Sequence, residues 1–98
     1  MNKLNEDLVL KIWNKGECRE GFDPKIHRFD VCGALMQRDK HGDRGHNLGW
    51  EIDHIIPQNR GGSEDISNLQ PLQWENNVAK SDNFIGDDFC VVSFNTKK

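Results

Sequence analysis

The sequence lacks any apolar run long enough to span a membrane. Residues 1–7 also lack the apolar stretch of a secretory signal peptide. The 98 residues contain neither an internal repeat nor a low-complexity tract. These absences predict a cytoplasmic protein with no membrane partner, folded as a single domain over residues 1–98.

Cysteine is scarce, and Cys18, Cys32 and Cys90 form no CxxC pair. An odd number of widely separated cysteines argues against a disulfide framework and against a cysteine-ligated zinc site. It fits a reducing cytosol, where thiols stay reduced. We therefore predict neither disulfide reinforcement nor structural zinc.

Positive charge is not in excess either, because 13 Lys and Arg face 16 Asp and Glu, for a net charge of −3. Nucleic-acid binders are usually basic, since phosphate neutralisation supplies most of their affinity. A nucleic-acid function here needs a local basic face, a metal ion or a partner. The densest basic run, within 38–49, is either a solvated hairpin loop or a loop that touches phosphates through Lys40 and Arg44.

Apolar residues near the N terminus recur at helical spacing. They predict an amphipathic helix over about residues 5–15 that covers the core, capped by Asn2 or Asn5 and stopped by Gly16.

The rest of the chain alternates between short apolar segments and polar connections. Residues 28–37 predict a strand or hairpin arm, and 50–57 a buried strand. Residues 74–82 predict a short helix with Val78 facing inward, and 89–94 an edge strand.

The strand predicted over 50–57 carries an acid–imidazole pair, Asp53 and His54, at its centre. Buried polar side chains are unfavourable without partners, and Asn68 and Asn77 downstream indicate that the pair binds something. The carboxylate of Asp53 and the amide oxygen of Asn77 are hard ligands that suit Mg²⁺ or Mn²⁺. Two protein ligands are enough for Mg²⁺, which keeps several waters.

His54 is then the candidate general base, because an imidazole can accept a proton from water near neutral pH. Asn68 is placed to fix the active loop near His54, while Lys80 and Arg60 are candidates to neutralise flanking phosphates. Each residue taken alone is more often a turn, cap or surface residue. Neighbouring strand residues point to opposite faces, so the strand must end or bend at Asp53 and His54.

Together these residues resemble the HNH endonuclease family. The motifs that carry the resemblance are GWEIDHIIP at 49–57, GG at 61–62, NLQPL at 68–72 and NVAKSDN at 77–83. The resemblance covers residues 49–83 well, 28–48 loosely and the two ends hardly at all. It implies a small α+β domain of the ββα-metal type (HNH, or His-Me finger), with an N-terminal helix and an extra hairpin.

The family implies a divalent-metal-dependent endonuclease that hydrolyses DNA. It implies His54 as general base, Asp53 and Asn77 as ligands of Mg²⁺ or Mn²⁺, and Asn68 as support for the catalytic loop. The chain is similar to small HNH proteins of phages and bacteria. This similarity suggests a larger phage or restriction assembly as a further partner. The oligomeric state stays open. The alternative is a non-cleaving DNA-binding or assembly module on the same fold, which the acidic charge favours.

Many HNH domains hold a structural zinc through two CxxC pairs, which would fall here near 29–32 and 73–76. Only Cys32 remains of them. We expect no structural zinc, and we expect Trp74, Phe29 and the N-terminal helix to fill its place.

Overall fold

The computed structural model describes residues 3–81 and 89–94. Helix α1 (Lys3–Trp13) is followed by strands β1 (His27–Phe29), β2 (Leu35–Gln37), β3 (Trp50–His54) and β4 (Leu69–Gln73), and then by helix α2 (Trp74–Lys80). Single 3-10 turns lie at Arg38–Lys40, Gln58–Arg60 and Ile66–Asn68. The strands form two antiparallel hairpins, β1–β2 and β3–β4, so the predicted small α+β fold is confirmed. Among the described helices, none has the length and apolar character needed to cross a membrane.

Strands β3 and β4 and helix α2 form the ββα unit. The antiparallel register places Trp50 opposite Gln73 and Ile52 opposite Pro71. In a two-stranded sheet each strand keeps an open edge, which is where a proline without an N–H group is tolerated. The Gln73 side chain then accepts hydrogen bonds from the backbone N–H groups of Glu75 and Asn76, so α2 begins directly after β4.

Helix α1 covers the core, as predicted, and lies two residues earlier than expected. Its Ile12 and Trp13 are buried against Trp50 and Leu69, and the rings of Trp13 and Trp50 lie 5.3 Å apart. Asn5 lies inside the helix and is therefore not its cap, while Asn2 lies outside the described residues.

Two predictions about the C-terminal third are wrong. Val78 is 50% exposed, because α2 turns Asn76 and Lys80 toward the protein instead. Residues 89–94 form no strand. The predicted end of α2 at Asp82 lies outside the described residues, in which the helix ends at Lys80.

The prediction of no disulfide is also wrong, since Cys32 and Cys90 are bonded, with their Cα atoms 5.6 Å apart. The bond ties residues 89–94 to the turn of the β1–β2 hairpin. A separation of 58 residues explains why no local spacing pattern revealed the pair. The cellular compartment stays a prediction.

A buried carboxylate connects the two segments, near 29–32 and 73–76, where the zinc-binding pairs of other HNH domains would fall. Asp30 is 4% exposed. One of its oxygens accepts from the backbone N–H groups of Cys32 and Ala34, and the other from Gln73 N and Asn76 Nδ2. Burial raises the pKa of the Asp30 carboxyl, and these donors act in the opposite direction.

Asn76 extends this network to the C-terminal segment. Its Oδ1 accepts from Val91 N and Val92 N, and its Nδ2 also donates to Val92 O. Asp30 and Asn76 therefore occupy the place that we expected Trp74, Phe29 and α1 to fill. Phe29 is indeed buried, but Trp74 is half-buried and donates to His46 O.

Candidate metal-binding and catalytic site

A cleft of about 400 Å³ opens where β3 ends. It is lined by Ile52, Asp53, His54, Pro57, Gln58, Asn59, Asn77 and Ser81. Asp53 and His54 come from β3, and α2 packs against β3 and brings Asn77 to the same cleft. The structure thus brings together the predicted base and both predicted metal ligands.

The end of β3 explains how neighbouring residues share this cleft. Asp53 faces α2, where it contacts Lys80, and His54 faces the following loop, where it contacts Glu64. These are opposite directions, as strand geometry requires. Because the strand stops at His54, the cleft reaches both side chains.

Asp53 is 7% exposed and engages both carboxylate oxygens. Oδ1 lies 3.2 Å from Lys80 Nζ, and Oδ2 accepts from Gln70 Nε2 at 2.9 Å. Each carboxylate oxygen has more than one lone pair, so these contacts leave Asp53 able to bind a cation.

Lys80 is 1% exposed and also donates to His54 O at 2.8 Å. Its ammonium group therefore joins α2 to the end of β3 inside the protein. This position contradicts the predicted contact between Lys80 and a DNA phosphate, which requires an accessible ammonium group.

Asn77 donates through Nδ2 to Glu51 Oε1 at 2.7 Å. A carboxylate can only accept, so the amide nitrogen of Asn77 faces Glu51 and its amide oxygen points away from Glu51. Glu51 and Asp53 share a face of β3 because they are two residues apart. We did not predict a role for Glu51, although its spacing of two residues from Asp53 already indicated that both side chains lie on the same face of the strand.

Arg44 grips the same glutamate with two hydrogen bonds, Nε to Oε2 at 2.7 Å and an Nη to Oε1 at 3.0 Å. Arg44 holds the pKa of the Glu51 carboxyl below its ordinary value, against the effect of burial and with help from Asn77. The structure thus places Arg44, a predicted phosphate contact, in an ion pair at the surface.

His54 lies with Nε2 3.1 Å from Glu64 Oε2. Since the carboxylate is an acceptor, the neutral imidazole carries its proton on Nε2 and its lone pair on Nδ1. Glu64 is 69% exposed and also accepts from Gln58 Nε2.

Asn68 holds the loop that follows His54. Its Oδ1 accepts from Ile56 N, and its Nδ2 donates to Ile56 O and Ser63 O. Gly61 has φ +91°, and a Cβ on Gly62 would lie 1.6 Å from Ile56 O, so the loop needs both glycines to fold this tightly. Asn68 thus contacts the backbone of the loop near His54.

A family model described as HNH endonuclease matches residues 37–83. This match supports recognition of residues 37–83 as an HNH endonuclease domain. The match includes β3, β4, α2 and every predicted site residue. Neither the curated proteins nor the solved structures give a match. The domain match supports a nuclease or nucleic-acid-related activity, with DNA as the substrate that the family suggests.

HNH domains usually bind a divalent metal ion. Within residues 3–81 and 89–94, no group of three or more His, Cys, Asp and Glu side chains could hold one. The candidate set in this HNH domain is instead one acid and one amide, which suits an ion that keeps several waters.

Two predicted phosphate contacts of the HNH domain lie on loops. Arg60 is exposed and ends the 3-10 turn that begins with the cleft residues Gln58 and Asn59. Lys40 is half-buried and ends the turn after β2. Arg60 is therefore an exposed basic residue next to the cleft, and Lys40 lies in the separate basic loop of residues 38–49.

Proposed function

We propose that this chain is a divalent-metal-dependent endonuclease that hydrolyses phosphodiester bonds of DNA. The observation that carries the proposal is the cleft shared by Asp53, His54 and Asn77. It combines a carboxylate, an imidazole and an amide oxygen within the segment that matches the HNH family.

His54 is the general base in this proposal. Its Nε2 donates to Glu64, so Nδ1 is the atom that takes the proton from the attacking water. Asn68 is a positioning residue, because its three bonds to the loop backbone fix the segment that begins immediately after His54.

Asp53 and Asn77 would hold Mg²⁺ or Mn²⁺, because both residues line the same cleft and both side chains carry a hard oxygen atom. When bound there, the ion supplies positive charge that polarises the phosphate under attack. Lys80 holds Asp53 on the α2 side, and Gln70 fixes its second oxygen, so the carboxylate is oriented by the protein.

DNA is the proposed substrate, and Arg60 and Lys40 are the proposed phosphate contacts. The net charge of −3 makes such local contacts necessary, because the chain as a whole repels a polyanion. Arg44 is now better assigned to Glu51 than to a phosphate, because a bidentate ion pair occupies its guanidinium.

The test is a plasmid-nicking assay with the full chain in Mg²⁺ or Mn²⁺. We expect nicking that disappears with EDTA, and a loss of at least about 100-fold in rate in His54→Ala, which is the usual contribution of a general base. His27→Ala is the matched control, since His27 lies in β1 and is not part of the cleft.

Near-normal nicking by a folded His54→Ala protein would remove His54 as the base. EDTA-resistant nicking would refute the metal requirement. A wild-type chain that cuts nothing with either ion would refute the enzyme.

The second candidate function is a DNA-binding or assembly module on the HNH fold that does not cleave. The negative net charge and the engagement of both Asp53 oxygens favour it. DNA binding by gel shift without nicking in the same buffers would support this module over the enzyme.

A further inference from the structure

The contact between Glu51 and Asn77 has a direction, which matters for a metal ligand. An amide side chain has a donor end and an acceptor end, and only the oxygen end can coordinate a hard cation. Asn77 donates to Glu51 through Nδ2 at 2.7 Å. Glu51 is not among the residues that line the cleft, whereas Asn77 is.

We propose that Glu51 is a positioning residue that turns the amide oxygen of Asn77 toward the metal site. This inference rests on the proposed function, in which Asn77 is a metal ligand. A carboxylate accepts and never donates, so it tolerates only one of the two amide orientations.

Arg44 fixes Glu51 in turn. Two hydrogen bonds from one guanidinium define the plane of the carboxylate. Hydrogen bonds thus connect Arg44 in the basic loop to Glu51 in β3, and Glu51 to Asn77 in α2, which lines the cleft. Arg44 therefore orients the Glu51 carboxylate and also balances its charge.

The alternative is that Glu51 has a structural role only and connects β3 to α2. The variant Glu51→Gln distinguishes the positioning role from the structural role, because glutamine has nearly the same size and can either accept from Asn77 Nδ2 or donate to Asn77 Oδ1. The tie between the elements is kept, while the selection of one amide orientation is lost.

The experiment measures Mn²⁺ affinity of the full chain by titration calorimetry, with thermal unfolding as a check on the fold. We expect Glu51→Gln to raise the Kd for Mn²⁺ about twofold, because equal use of two orientations halves the binding-competent population. The Kd of Asn77→Ala gives the effect of losing this ligand completely, against which the effect of Glu51→Gln is compared.

A rescue variant makes the test independent of activity and of net charge. Glu51→Gln combined with Asn77→Asp has the wild-type charge, and its introduced carboxylate presents an oxygen in either orientation. We expect the double variant to regain Mn²⁺ affinity relative to Glu51→Gln alone.

An unchanged Kd in Glu51→Gln, with or without a lower unfolding temperature, would overturn the positioning role and leave the nuclease proposal standing. Failure of the double variant to regain affinity would also overturn it. Wild-type protein whose Mn²⁺ binding does not depend on Asn77 would instead overturn the proposed metal site, and the inference with it.

Discussion

At the scale of single residues, Lys80 carries a buried charge next to the site that is held by two contacts. Its ammonium group lies between the Asp53 carboxylate and the His54 carbonyl, and both charged side chains are buried. Burying a charge is costly unless it is paired and hydrogen-bonded, so each partner depends on the other.

We predict that Lys80→Met destabilises the protein by about 3 kcal/mol, because it leaves the buried Asp53 carboxylate without its counter-charge. Urea unfolding at pH 7 measures the change. Lys25→Met is the control, since Lys25 is exposed and its loss falls within about 0.5 kcal/mol.

DNA binding by the same variants distinguishes a buried role from a phosphate contact. Loss of a phosphate contact lowers the slope of log affinity against log salt by about one unit. A stable Lys80→Met protein with a reduced salt slope would restore the phosphate role that the structure contradicts.

The sequence could predict which residues share the cleft but not which way each one points. Asp53, His54 and Asn77 were found through their joint spacing, which the family motif fixes. The direction of Lys80 was missed because a lysine on a short polar helix is normally solvated. Glu51 was missed because its partner lies 26 residues away.

At the scale of elements, local patterns predicted β3, α2 and the covering role of α1. They could not predict the polar network that connects these elements to the hairpin. Asp30 falls inside the strand or hairpin arm predicted over 28–37, yet it lies in the β1–β2 turn and joins this turn to the start of α2 across 46 residues. Val78 was assigned inward for its apolarity, whereas the network turns the polar Asn76 inward.

We predict that Asp30→Asn lowers the free energy of unfolding by about 3 kcal/mol. Whichever way the new amide turns, its NH₂ group meets two N–H donors that Asp30 accepts from, and buried donors without acceptors are unfavourable. Urea unfolding at pH 7 measures it, with the exposed Asp7→Asn as a charge-matched control. Equal stability of the two variants would show that the network does not hold the elements together.

At the scale of the whole molecule, several long-range contacts attach residues 89–94 to the domain. Phe94 N donates to Gly33 O, and two larger ties lie beside this bond. One is the disulfide from Cys90 to Cys32, and the other is the set of three hydrogen bonds from Asn76 to the backbone of Val91 and Val92. Asn76 directly precedes Asn77, so the hydrogen-bonded tie ends next to the candidate metal ligand, whereas the disulfide ends at the turn of the β1–β2 hairpin. Neither tie has a local sequence signal.

We predict that reduction of the disulfide lowers the free energy of unfolding by about 4 kcal/mol, because the bond closes a loop of 58 residues in the unfolded chain. Urea unfolding with and without dithiothreitol measures the difference. Cys18→Ser should respond to the reductant like the wild type, whereas Cys32→Ser should not respond, because it has no bond to lose.

Thiol titration of the denatured protein, purified without reductant, tests the same pairing independently of stability. One reactive thiol, that of Cys18, is expected in the wild type and none in Cys18→Ser. Three thiols would contradict the pairing and would leave hydrogen bonds, those of Asn76 and that of Phe94 N, to hold residues 89–94. In that case the reductant would have no bond to break, and Asp30→Asn would destabilise the protein more than reduction does.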